Sequence, residues 1–166
     1  MTSKKCVCGK DVVLWYGPKD TPFALIGDEP EEADYQVDMP WTGKNGKLLR
    51  GEMMSKSLDI SRFRRGNLFV HAKPSGDCKN KHVAKAVAEL TGKRAVLLIG
   101  SEVTKFFTGM SITDISGLNV AELVTLFQAD IVIPVPKPTV LFTEGFGEVR
   151  FALHNFSKEL ERLGIE

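Results

Sequence analysis

Four short apolar runs constrain this chain more than any other feature. They are Phe23-Ala24-Leu25-Ile26, closed by Gly27; Leu68-Phe69-Val70; Ala95-Val96-Leu97-Leu98-Ile99, closed by Gly100; and Ile131-Val132-Ile133, closed by Pro134. Runs this short, apolar throughout rather than alternating, read as strands covered on both faces. Segments with helical spacing lie between them. Residues 46–56 carry Leu48, Leu49, Met53 and Met54, and residues 82–90 place Val83, Ala86, Val87 and Leu90 on one stripe. Residues 101–107 and 120–127 follow, and a last helix over 156–163 stops at Gly164. Strand–helix alternation with long crossovers predicts an α/β protein, a three-layer α/β/α sandwich with a short, mostly parallel central sheet of about four strands. Such sheets bind ligands beyond the carboxyl ends of their strands. Chemistry is therefore to be sought in residues 27–34, 71–80, 100–105 and 134–139.

The chain has 166 residues with no repeat or linker, so a single domain over 1–166 is expected. A domain of this size buries roughly two-thirds of its unfolded surface and needs no disulfide or metal to fold. Twenty-two Lys and Arg against 21 Asp and Glu leave a net charge of +1, which by itself announces no nucleic-acid partner. No apolar run approaches the ~20 residues that span a bilayer, so no membrane partner is expected. The lysines near Met1 precede no apolar stretch, which predicts no secretory leader. Three cysteines are too few and too odd for a disulfide framework, so a reducing, cytoplasmic setting is expected.

The first strand runs into Gly27-Asp28-Glu29-Pro30, and Met39-Pro40-Trp41-Thr42-Gly43-Lys44-Asn45-Gly46-Lys47-Leu48-Leu49 follows. Further on come Leu97-Leu98-Ile99-Gly100 and Val132-Ile133-Pro134-Val135-Pro136-Lys137-Pro138-Thr139. In this order the segments resemble the landmarks of the uracil-DNA glycosylase superfamily, most of all its iron–sulfur-type bacterial and archaeal class. There a strand enters Gly-Glu-Ala-Pro-Gly, Pro-Phe-x-Gly-x-x-Gly-x-Leu-Leu follows, and a late motif reads Val-Phe-Pro-x-x-His-Pro-Ser/Ala. Val12-Val13-Leu14-Trp15-Tyr16-Gly17 is similar to the stretch after that class's first cysteine pair. The resemblance covers about Cys6 to Arg150.

The resemblance implies an intracellular DNA-repair hydrolase that flips uracil or a related altered base out of DNA and cleaves its N-glycosidic bond. Glu29, with Asp28 beside it, would handle water, and Trp41 would stack on the base. His71, at the place of a base-reading Asn, and Lys137 would contact the base or leaving group. Gly27, Pro30 and Thr139 complete the expected substrate site. Other readings stay open: an acidic turn at a helix start for Glu29, a core Trp for Trp41, and a strand-end cap for His71. Three departures favour a catalytically inactive binding component of a replication or modification assembly. Lys137 stands where the family has His, Glu31 where it usually has Gly, and the cysteines are incomplete. Asp28, Glu29, Glu31, Glu32 and Asp34 together would repel phosphate. The partner expected is uracil-containing or modified DNA, with a replication or repair protein as a further one, and the chain is expected to be a monomer.

Cys6 and Cys8 lie where the family has a Cys-x-x-Cys pair, and Cys78 where it has a third cluster ligand. Without a fourth Cys, the expectation is no cofactor. The alternatives are an iron–sulfur cluster or a zinc held by the three thiolates and a His such as His71 or His82. The basic segment Arg62-Phe63-Arg64-Arg65, with Lys79, Lys81 and Lys85, reads either as a phosphate-facing strip or as a solvated face.

Overall fold

Alternation along the strands decides the architecture. The computed structural model describes residues 4–139 and 146–166. Strands β1 (Phe23–Gly27), β2 (Arg64–Asn67), β3 (Ala95–Ile99) and β4 (Ile131–Val135) form one sheet in the order β2-β1-β3-β4. Every pairing is parallel. Phe23, Leu25, Leu97, Ile99, Ile131 and Ile133 face one side, where they meet α2 (Lys44–Met54) and α7 (Phe146–Leu163) through Leu49, Met53, Leu153 and Phe156. Ala24, Ile26, Val96, Leu98 and Val132 face the other. There they meet α3 (Gly76–Leu90), α4 (Ser101–Thr108), α5 (Ile112–Ile115) and α6 (Ala121–Phe127). This is the three-layer α/β/α sandwich that continuous apolar strands require. A short helix, α1 (Glu32–Val37), follows β1.

Both sheet edges are covered. Pro134 lies in β4, an edge strand, where its missing N–H costs no ladder bond. Residues 117–120 run along that edge, with the Gly117 and Val120 N–H groups donating to Pro134 and Val132 carbonyls at 2.9 Å. At the opposite edge Tyr16 and Arg65 exchange backbone hydrogen bonds of 2.8 Å. Covered edges leave no template for pairing with another chain. Among the described residues, no helix is long and apolar enough to cross a membrane.

Two sequence expectations are corrected. The second strand is Arg64–Asn67, not Leu68-Phe69-Val70. Leu68 and Phe69 continue beside β1 through N–H bonds to the Gly27 and Asp28 carbonyls, but they leave the sheet. Arg64 and Arg65 are buried rather than phosphate-facing. Arg64 pairs with Glu89 of α3 at 2.8 Å. The Arg65 guanidinium donates to the Ile60 and Phe63 carbonyls and lies over the Tyr16 ring. The N-terminal segment covers this strand, so its arginines are held by internal partners instead of water.

Candidate active site and a thiol–imidazole cluster

In the order β2-β1-β3-β4, chain connections leave β1 toward one edge and β3 toward the other. The crevice beyond the carboxyl ends of β1 and β3 is therefore the topological switch point where open α/β sheets bind ligands. Asp28, Glu29, Glu31, Asp34, Trp41, Asn45, Gly46, Asn67 and Lys137 line a cleft there. Its volume is about 20 Å³, room for one water.

The loop carrying Trp41 is tied down by the acidic residues. Asp34, buried in α1, accepts from the Glu31 N–H at 3.0 Å and, at 2.9–3.0 Å, from the Thr42 N–H, the Thr42 hydroxyl and the Gly43 N–H. Glu31 accepts from the backbone and side-chain N–H groups of Asn45, whose Oδ1 in turn accepts from the Thr139 N–H at 3.0 Å. Much of the expected acidic patch is thus internal scaffolding. Glu29 and Glu32 are the exposed acids of this set. The Gly-x-x-Gly spacing has a direct cause: a Cβ on Gly43 would strike the Glu31 carboxylate, and one on Gly46 the Trp41 carbonyl.

Trp41 is buried, its Nε1–H donating to the Gly66 carbonyl at 3.0 Å, with φ at +62°. A Cβ on Gly27 would meet both the Trp41 indole and the Asn67 Oδ1. Gly27 therefore serves the cleft by letting those two groups approach the strand end. Pro30 is buried directly after Glu29. Asp28 lines the cleft, but its Oδ1 accepts from the Val103 N–H in the first turn of α4 at 2.6 Å. Its Oδ2 lies 3.5 Å from Lys137 Nζ. Burial pushes the Asp28 carboxyl above its ordinary value, against the pull of the Val103 N–H and the Lys137 charge.

The structure parts His71 from the cleft, in correction of its expected place. The strand end that points there is Asn67, paired in register with Gly27. Asn67 is 3% exposed and lines the cleft beside Trp41. Sequence reasoning missed it because Arg64-Arg65-Gly66-Asn67 has no apolar pattern. The usable signal was Gly66, a strand glycine marking close approach, here of the Trp15 ring.

His71 instead joins the cysteines. The ligating atoms of Cys6, His71, Cys78 and His82 all lie within 4.8 Å of one another. Cys6 Sγ is 3.5 Å from His82 Nε2, and Cys78 Sγ is 3.6 Å from His71 Nε2. Cys8 Sγ also comes within 3.3 Å of His71 Nε2, though Cys8 is exposed. Cys6 and Cys8 ride on a hairpin turn in which Cys6 N–H donates to the Lys10 carbonyl and Gly9 N–H to the Cys6 carbonyl. Cys78 and His82 share one face of α3 at i and i+4. Two thiolates and two imidazoles serve both single-ion sites and two-iron clusters that take His on one iron, and ligating atoms that all lie within 4.8 Å of one another suit a single ion.

No family model and no curated protein matches the chain. Among solved structures, the chain is similar to wild-type SMUG2 of Pedobacter heparinus at 9% identity and a TM-score of 0.49. That match covers 88% of this chain and 77% of the other.

Proposed function

We propose that this chain is a DNA-glycosylase-like hydrolase acting on uracil or a related altered base. The observation that carries the reading is the Asn67 side-chain amide, on a buried residue at the end of β2 and set beside the Trp41 indole in the lining of the switch-point cleft. An amide offers one donor and one acceptor in fixed order, which is what a pyrimidine edge presents in complement. The ordered motifs from Gly27 to Thr139 support the same reading.

In this mechanism Glu29, exposed at the cleft, takes a proton from water as the water oxygen bonds to the sugar C1′. The C1′–N bond breaks and its electron pair leaves with the base. Asn67 holds the base edge, Trp41 flanks the ring, and the Lys137 ammonium faces the departing anion. Base entry requires Lys137 to swing away from Asp28, since the cleft as it stands holds one water. That small volume favours a second reading, a non-catalytic member of the same fold that binds a replication or repair protein.

The test is incubation with single- and double-stranded oligonucleotides carrying one uracil or another altered base, followed by alkaline cleavage at abasic sites. Strand cleavage is expected, and Asn67→Ala and Glu29→Gln should each lower its rate by about 10²-fold or more. No cleavage at any base, at enzyme in excess over substrate, overturns the hydrolase reading and leaves the binding one.

A further inference from the structure

We propose that Cys6, Cys78, His71 and His82 form a mononuclear zinc site that fastens the N-terminal hairpin to the sheet. This inference is independent of the glycosylase reading. Its first support is spacing. A tetrahedron with zinc–sulfur bonds of about 2.3 Å and zinc–nitrogen bonds of about 2.0 Å separates sulfur from nitrogen by about 3.5 Å. The Cys6–His82 and Cys78–His71 sulfur–nitrogen pairs stand at 3.5 Å and 3.6 Å, and the Sγ of the exposed Cys8 lies 3.3 Å from His71 Nε2. Donors this close surround one ion and leave no room for a body of several irons.

The second support is the orientation of the rings. His71 Nδ1 is 2.9 Å from the Ala72 carbonyl, so that nitrogen carries the proton and Nε2 presents its lone pair to the cysteines. His82 is buried with no hydrogen-bond partner for Nδ1 among the described residues, and its Nε2 is aimed at Cys6. The rings meet edge to face, their centroids 4.7 Å apart. Two thiols and two imidazoles, three of the four residues buried, have weak hydrogen bonds to offer one another. Two thiolates and a divalent cation instead neutralise each other and satisfy both ring nitrogens. Thiolate and imidazole donors together suit zinc, which takes such Cys₂His₂ sets in closed structural sites.

The third support is topology. The ligands come from the 4–12 hairpin, the connection after β2, and α3, which are separate in sequence and otherwise joined here by few polar contacts. Lys10 Nζ donates to the Ala72 and Lys73 carbonyls on the same side. Ala72 N–H donates to the Tyr35 hydroxyl of α1 at 3.0 Å, so the ion would brace the connection that follows Asn67. Cys8, exposed and outside the set of four, is a neighbour and not a ligand.

The test is metal analysis of the full chain purified under reducing conditions from medium containing zinc and iron. About one zinc per chain is expected, with no iron or sulfide. Exchange for cobalt should give the intense visible bands of tetrahedral thiolate-ligated cobalt. Cys78→Ser and His82→Asn each remove a ligand and should lower zinc affinity by more than the roughly 10–100-fold typical of losing an outer-shell partner, while Cys8→Ser retains it. The cobalt spectrum of the unaltered chain decides the matter even if a variant misfolds. Zinc far below one per chain, iron with sulfide, an octahedral cobalt spectrum, or loss of metal in Cys8→Ser would each overturn the proposal.

Discussion

Asp34 shows how much one buried carboxylate can organise. It gathers the N–H groups of Glu31, Thr42 and Gly43 and the Thr42 hydroxyl, and so fixes the loop that presents Trp41. Asp34→Ala strands those backbone donors and should lower stability by roughly 2–4 kcal/mol, read by urea unfolding. Gly46→Ala should cost roughly 1–3 kcal/mol in the same measurement, because its methyl group meets the Trp41 carbonyl. At this scale the sequence was only partly legible. The Gly27-Asp28-Glu29 turn and Trp41 could be placed at the cleft from their motif. Counting from Leu68-Phe69-Val70 misplaces His71 there, because that apolar run lies beyond the strand Arg64–Asn67. No pattern in the sequence distinguishes an acid that binds a loop, such as Asp34, from one that faces water, such as Glu29.

Among the elements, β2 and α3 depend on a pair of charges as much as on apolar packing. Arg64 of β2 grips Glu89 of α3 through both carboxylate oxygens and also donates to the Gly17 carbonyl. That guanidinium, with help from Lys85 and against the effect of burial, holds the Glu89 carboxyl down at about 2, from an ordinary 4.5. A carboxyl depressed in the folded state stabilises fully above its unfolded value and loses that contribution as pH falls toward the folded one. Glu89→Gln should therefore cost about 3 kcal/mol near neutral pH, where it leaves Arg64 without a counter-charge. The difference from the unaltered chain should shrink between about pH 4.5 and pH 2, followed by denaturant unfolding across that range. Strands β1, β3 and β4 and the cores of five helices could be read from apolar spacing. Strand β2, the short helices α1 and α5, and the first turns of α3 could not, because polar residues there give no apolar period; the first turns of α7 were legible in Val149, Ala152 and Leu153 but lie ahead of the expected start at 156.

For the molecule as a whole, a net charge of +1 and exposed acids at the cleft set a limit on phosphate contact. If DNA is the substrate, its binding should depend weakly on salt. The slope of log affinity against log salt is expected to be no steeper than about −3, roughly three phosphates, measured by fluorescence anisotropy. A steeper slope would place a basic surface where the buried Arg64 and Arg65 do not supply one. The strand order carries a different consequence. β1 is the first strand made on the ribosome and lies inside the sheet; β2 adds to one of its flanks, β3 to the other, and β4 outside β3. Each strand emerging from the ribosome therefore finds an open flank waiting, and no finished ladder has to be broken to admit a later one. The sheet can be laid down in the order of translation, without the kinetic traps that insertion between paired strands would set.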